Sequence, residues 1–201
     1  MSQNLTQDSA FIFEEENTPI DRTPYYKFEP CFTIKSFKKW ADEFRTFDVR
    51  KDDVWILSLP RTGSTWIENI VCQLQNGFDF SKKPLNLLPA EMWTVRPKII
   101  YIARNPKAVA ISNFHIYRNG MDWFSLGFSG SIEEFFDLFL EDRVLFAPIH
   151  SHVLAYWQLH RLNNFLFLNS EEQFGGIKKI AKFLESMYDE DELKRLTDYI
   201  Y

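Results

Sequence analysis

The sequence has few cysteines, no long apolar run and no block of positive charge. Its two cysteines, Cys31 and Cys72, are far apart and match no metal-binding or redox spacing, so we expect reduced thiols in a cytosolic protein. No stretch approaches the roughly 20 apolar residues of a membrane span, and the polar N-terminus has no signal-peptide pattern. The net charge of −5 argues against a nucleic-acid-binding protein. These absences predict a cytoplasmic protein with no membrane or nucleic-acid partner.

The sequence does contain strands that alternate with helices. Its 201 residues are enough for one domain with a substantial core. Apolar runs at 54–59, 98–103 and 165–168 predict buried strands of a parallel sheet, and helical patterns follow them. Gly175-Gly176 is expected to precede one of these helices. The alternation predicts an α/β fold, with three layers around a central parallel sheet.

The segment after the first strand, Pro60-Arg-Thr-Gly-Ser-Thr-Trp66, has the features of an anion-binding loop. Pro60 ends the strand because it has no N–H to donate, and Gly63 permits a tight turn. Hydroxyl groups, one cation and the N–H groups of a helix start converge here: the hydroxyls are those of Thr62, Ser64 and Thr65, and the cation is Arg61. This set predicts a site for phosphate or sulfate. The alternative is an ordinary turn between strand and helix with an arginine at the surface.

The loop is not a Walker A motif. That motif requires two glycines and a lysine after the second one. Here Gly63 stands alone, and the basic residue, Arg61, lies two positions before it. The difference counts against a P-loop kinase or ATPase.

A second candidate site follows the second strand. Arg104 ends that strand, and Asn105 and Pro106 form a good helix start. In open α/β sheets, ligands bind at the carboxyl ends of the strands. Ser112 lies just over two helical turns further on, on roughly the same side as Arg104, so the two could share one phosphate. The alternative is that Arg104 pairs with a carboxylate and Ser112 packs against a neighbouring turn.

Two such sites suit a nucleotide with phosphate at both ends, and at this point the motifs resemble those of the cytosolic sulfotransferases. Residues 60–66 resemble the family's 5′-phosphosulfate loop, usually P-K-[ST]-G-[ST]-T-W. Residues 96–112 resemble its 3′-phosphate segment, with Ala108 where the family usually has Asp. Residues 152–172 resemble its next helix and strand, which end in Y-E-D. The resemblance covers roughly residues 30–201 and implies the P-loop-NTPase-like sulfotransferase architecture.

The resemblance implies a donor, 3′-phosphoadenosine 5′-phosphosulfate (PAPS), and transfer of its sulfuryl group to a hydroxyl or amine of a small molecule such as a phenol, alcohol or steroid. The product is PAP, and no metal is implied. Arg61 stands at the position of the family lysine that contacts the bridging and 5′ oxygens. Residues 62–65 would cradle the 5′-phosphate, and Trp66 would stack on adenine. Arg104 and Ser112 would hold the 3′-phosphate.

The catalytic half departs from the family pattern. The family has K-T-H-L-P before the second strand, and its histidine is the general base. Here the residues that normally follow that motif are matched by 84–89, so Lys82 occupies the histidine position. A lysine with a pKa of about 10.4 is protonated at pH 7 and is a poor base. The histidines are His115, His150, His152 and His160. None of them replaces the base, which is therefore not identified.

Other segments of the family pattern are also absent. The stretch between Trp66 and Pro84 is short, Ser170 stands where many members have tyrosine, and no R-K-G-x-x-G segment or dimer motif precedes Tyr201. We therefore expect a flexible tail at 1–28, an incomplete sulfotransferase domain at 29–201 and a monomer or unknown assembly. Three hypotheses remain. The first is a small-molecule sulfotransferase, and the second is an impaired form that binds PAPS or PAP without transfer. A P-loop kinase or ATPase is the third and least favoured.

Overall fold

The computed structural model describes residues 10–12, 32–34, 47–78, 96–120 and 127–200. The chain forms two compact units, and each is built from two stretches of the sequence. The first unit consists of residues 1–42 and 106–159, and the second of residues 43–105 and 160–201.

The second unit contains a parallel sheet of three strands. These are β3 (Val54–Ser58), β4 (Lys98–Ala103) and β5 (Phe165–Asn169), with β4 in the centre. Residues 99–102 of β4 are all buried, because a central strand of a parallel sheet is covered on both faces. The three predicted strands are thus confirmed, and with them the α/β fold class and its central parallel sheet.

Three helices of the second unit share one core with the sheet. They are α1 (Ser64–Gln75), α5 (Phe174–Phe183) and α6 (Glu190–Ile200). Their apolar stripes meet the side chains of Ile100, Ile102 and Leu168. The helix residues in this core are Ile67, Ile70, Val71, Leu74, Ile177, Ile180, Ala181, Leu193 and Leu196. On the other face of the sheet, the rings of Tyr101 and Phe167 stack with centroids 5.2 Å apart.

The start of α5 differs from the sequence prediction. Gly175 and Gly176 are expected before the helix, but the helix begins at Phe174 and includes both glycines. A 3₁₀ turn at Ser170–Glu172 follows β5, and Gln173 then turns the chain with φ 46° and ψ −120°. This turn leaves so little chain that the two glycines must lie in the first helical turn.

The first unit contains two short strands and three helices in its described part. β1 (Ala10–Ile12) and β2 (Phe32–Ile34) pair antiparallel. The helices are α2 (Pro106–Asn119), α3 (Ile132–Leu140) and α4 (Ile149–Trp157). β1 lies within residues 1–28, and the flexible tail predicted for the rest of that stretch stays a prediction.

An aromatic cluster joins α2 and α3 in this unit. Tyr117 and Phe135 meet edge to face at 5.0 Å, and Phe114 and Phe128 also contact Phe135. The buried Tyr117 oxygen accepts a hydrogen bond from the Leu145 N–H. Burial raises the pKa of the Tyr117 phenol to about 12, although this hydrogen bond acts in the opposite direction. Within the described residues, no helix combines the length and apolar character needed to cross a membrane.

Candidate functional site

The loop between β3 and α1 is held by the side chain of Thr62. Thr62 is 2% exposed, and both its Oγ1 and its backbone N donate to the carbonyl oxygen of Leu59, at 2.7 and 3.3 Å. The hydroxyl proton is thus used inside the protein. Thr62 therefore stabilises the loop from its buried side. Its contact with a bound anion stays a prediction.

Two residues of the loop have left-handed backbone conformations. Arg61 has φ 70° and Gly63 has φ 111°. At Gly63 a side chain would also meet neighbours, because a Cβ there would lie 3.2 Å from Ile102 Cδ1 and 3.6 Å from Ser170 Cβ. Only glycine combines this conformation with this close approach. Arginine has no such freedom, so Arg61 depends on its surroundings to keep its positive φ.

Helix α1 begins directly after Gly63 and has no side-chain cap. The first intrahelical donor is the N–H of Ile67, which bonds to the Gly63 carbonyl at 3.2 Å. The N–H groups of Ser64 and Thr65 therefore have no acceptor within the helix. They lie at the positive end of the helix dipole, which is the usual arrangement for binding an anion.

Arg104 connects the end of β4 to this loop. Its Nη1 donates to the carbonyl oxygen of Arg61 at 3.0 Å. Within the described ranges Arg104 forms no ion pair with a carboxylate, so the alternative role considered from sequence has no support there. The contact brings together Arg61 and Arg104, two of the predicted site residues, and helps to hold Arg61 in its left-handed conformation.

Glu171 fixes the neighbouring strand ends and was not among the predicted site residues. Its Oε1 accepts a hydrogen bond from the backbone N–H of Asn105 at 3.0 Å. The next residue, Glu172, forms an ion pair with Lys179 of α5 at 2.6 Å. The signal was present in the sequence, because these two residues match the acidic pair of the family's Y-E-D motif.

The indole of Trp66 lies against the first turn of α5. The residue is half-buried, its Nε1 atom is buried, and its side chain packs against the core of this unit. A Cβ added at Gly176 would be only 3.2 Å from its Cη2 atom. One edge of the ring thus packs on a helix, and its stacking on adenine stays a prediction.

Other predicted residues are placed less completely. Ser112 is half-buried on α2 in the first unit, and its share in a phosphate site with Arg104 stays a prediction. Lys82 and the segment 84–89 lie outside the described residues. His115, His150 and His160 are exposed. Burial lowers the pKa of His152 to about 4, which makes its imidazole a weak proton acceptor at pH 7.

In the part of the chain that the structure describes, no group of three or more His, Cys, Asp or Glu side chains is arranged to hold a metal ion.

Comparison with known proteins identifies related sequences. The family described as "Sulfotransferase domain" matches residues 51–84 and 81–201. Luciferin sulfotransferase of Photinus pyralis is 24% identical, in a match that covers 82% of this chain and 60% of that protein. Sulfotransferase 1E1 of Rattus norvegicus is 27% identical, in a match that covers 83% of this chain and 68% of that protein. The chain thus spans 60–68% of the length of these two relatives.

Solved structures show the same fold. Retinol dehydratase in complex with androsterone and the inactive cofactor PAP is similar with a TM-score of 0.73 and 20% identity, over 86% of this chain and 71% of that chain. Mouse sulfotransferase SULT7A1 complexed with PAP gives a TM-score of 0.69 and 24% identity, over 88% and 73%. The family match includes the loop at 60–66, Arg104 and Ser112. This chain belongs to the sulfotransferase family.

Proposed function

We propose that the chain binds PAPS and its product PAP, with the 5′ end of the nucleotide on the loop 61–66. The observation that carries the proposal is the geometry of this loop. Two left-handed residues direct the chain into an uncapped helix start, and Arg104 holds the loop from the end of the neighbouring strand. Anionic groups at such a helix start are stabilised by N–H groups and by the helix dipole.

The proposed donor contacts combine backbone N–H groups of the helix start with side chains of the loop and of the second strand end. The N–H groups of Ser64 and Thr65 bind the 5′-phosphate, and the exposed cation of Arg61 lies at the start of the same loop. The half-buried ring of Trp66 stacks on adenine. Arg104 and Ser112 bind the 3′-phosphate, which distinguishes PAP and PAPS from ATP. The solved relatives with PAP support this choice of ligand, since the same fold binds PAP in those proteins.

In the proposed transfer, an acceptor oxygen or nitrogen attacks the sulfur atom. The bond from sulfur to the bridging oxygen breaks, and negative charge develops on that oxygen as PAP leaves. The guanidinium of Arg61 stabilises this charge, because a fixed cation acts most strongly where charge develops. The acceptor is proposed to be a small phenol, alcohol or steroid-like molecule. The proposed location is the cytoplasm.

A second candidate function is binding of PAPS or PAP without transfer. The acceptor must lose a proton, and Lys82 stands where the family has its general base. His152 has a pKa near 4 and is a weak acceptor at pH 7. This candidate shares the nucleotide site with the first, but the sulfuryl group is not transferred because no base removes the acceptor proton.

The test has a binding arm and a transfer arm. Thermal unfolding is followed with PAP, PAPS and ATP. Ligand at 100 times its dissociation constant should add about 2.7 kcal/mol, which raises the melting temperature by about 5–10 °C for a chain of this size. Stabilisation by ATP but not by PAP would contradict the proposal.

The transfer arm uses labelled PAPS with a panel of phenols and alcohols. Transfer supports the enzyme, and PAP binding without transfer supports the second candidate. Lys82→Ala is compared with Lys83→Ala, which removes the same charge one position later. If turnover is robust in both variants, the assignment of residue 82 to the base position is wrong.

A further inference from the structure

We propose that Gly176 is a positioning residue for nucleobase recognition: its lack of a side chain lets the Trp66 indole occupy the position from which it stacks on a planar base. This inference rests on the proposed function and extends it to a residue on a different helix. The contact that motivates it is the approach of the indole edge to α5. A Cβ at Gly176 would lie 3.2 Å from Trp66 Cη2 and 3.7 Å from Cζ3.

The two neighbouring glycines of α5 differ in their surroundings. A Cβ at Gly175 would meet nothing within 4 Å, whereas one at Gly176 would meet the indole. Both glycines lie in the first turn of α5, and the close approach of Trp66 is what distinguishes Gly176 from Gly175.

The helix cannot retreat from the indole, so a side chain at 176 must displace the ring. Ile177 and Ile180, on the same helix, are fully buried in the core. An ion pair between Glu172 and Lys179 also lies near the start of α5, at 2.6 Å. Trp66, by contrast, is only half-buried and packs against the core rather than within it, so we expect the ring to shift rather than the helix. A contact of 3.2 Å requires a shift of a few tenths of an ångström, and a larger side chain requires more.

Displacement of the ring should affect the base and spare the phosphates. The phosphates are assigned to backbone N–H groups and to Arg104, which do not touch Gly176. Since a stacked base contributes a large share of the binding energy in aromatic sites, we expect Gly176→Ala to weaken PAP binding about fivefold. Gly176→Val should weaken it further, and the affinity for a base-free sugar bisphosphate should not change.

The experiment measures binding of PAP and of ribose 3,5-bisphosphate by calorimetry, for wild type, Gly176→Ala and Gly175→Ala. We expect weaker binding of PAP in Gly176→Ala. The binding of ribose 3,5-bisphosphate should be unchanged in every protein, and the binding of PAP should be unchanged in Gly175→Ala. Three results would each overturn the inference. Gly176→Ala could weaken the binding of both ligands equally, the two glycine variants could weaken PAP binding equally, or Gly176→Ala could leave PAP binding unchanged. Failure of wild type to bind PAP would instead refute the proposed function, so the two failures are distinguishable.

A double-mutant cycle separates positioning from a general effect on folding. Trp66→Phe removes the two ring atoms that meet Gly176, so Gly176→Ala should have no further effect on PAP binding in that background. An additive loss in the double variant would show that the glycine acts through something other than the indole. Alanine is a better helix former than glycine, so the variants should fold, and thermal unfolding of each checks this.

Discussion

Gly63→Ala should destabilise the chain by more than its conformation alone accounts for. At φ 111° an L-residue is disfavoured by about 1–2 kcal/mol. The new methyl would also lie 3.2 Å from Cδ1 of Ile102, which is fully buried in the central strand and has little freedom to move. Overpacking of this kind adds about 1 kcal/mol or more. The expected total is about 2–3 kcal/mol, which lowers the melting temperature by about 4–12 °C for a chain of this length.

Gly77→Ala is the matched control. Gly77 has φ 65° just after α1, where the N–H of Phe78 donates back to the carbonyl of Gln73 at 3.0 Å. A Cβ added at Gly77 would meet only the Tyr188 hydroxyl, at 4.0 Å, so alanine there should cost only the conformational part, about 1 kcal/mol.

Urea unfolding followed by circular dichroism gives the two free energies of unfolding directly. The difference between the variants measures the contact with Ile102 and Ser170. If Gly63→Ala is no more destabilising than Gly77→Ala, the close approach at the loop does not exist in solution. PAP binding should fall at least tenfold in Gly63→Ala, because the N–H groups of the helix start shift with the loop.

Three further predictions concern other contacts. Thr62→Val should lower the free energy of unfolding in urea by about 1 kcal/mol, because the buried hydroxyl bond to Leu59 is lost, while Thr62→Ser should retain it. Arg104→Lys keeps the charge but loses the fork that reaches the Arg61 carbonyl, so calorimetry should show about tenfold weaker PAP binding; unchanged binding would contradict this role. The folded-state pKa of Tyr117, about 12, lies above its ordinary value of 10.0, so its contribution to stability is complete below pH 10 and is lost as the pH rises to 12. Urea titrations across this range should show a smaller fall for Tyr117→Phe than for wild type.

The sequence was sufficient to predict the three strands of the parallel sheet and the turn after the first of them, but not the short strands β1 and β2. Buried apolar runs define β3, β4 and β5, because a covered strand tolerates little else. Pro60 and Gly63 mark where β3 ends and the chain turns. These signals are local, because each lies within a few consecutive residues.

What could not be predicted depends on contacts between distant residues. Nothing in an arginine indicates that Arg61 adopts a positive φ, since the partner that holds its carbonyl, Arg104, lies 43 residues away. The inward hydroxyl of Thr62 depends on the fold of the turn rather than on the residue type. The place of Gly176 inside α5 depends on how tightly the chain turns at Gln173.

The hydrogen bond between Asn105 and Glu171 has a consequence for synthesis of the protein. The two residues are separated by 66 positions. The edge of β4 that pairs with β5 therefore stays unpaired until β5 has been synthesised. At about 5–20 residues per second, the ribosome needs about 3–13 s to make the intervening chain. During that time β4 lacks its partner strand β5, and the apolar residues of β3 and β4 lack the helices α5 and α6. The nascent chain therefore passes through an interval in which this apolar surface is exposed and prone to aggregation.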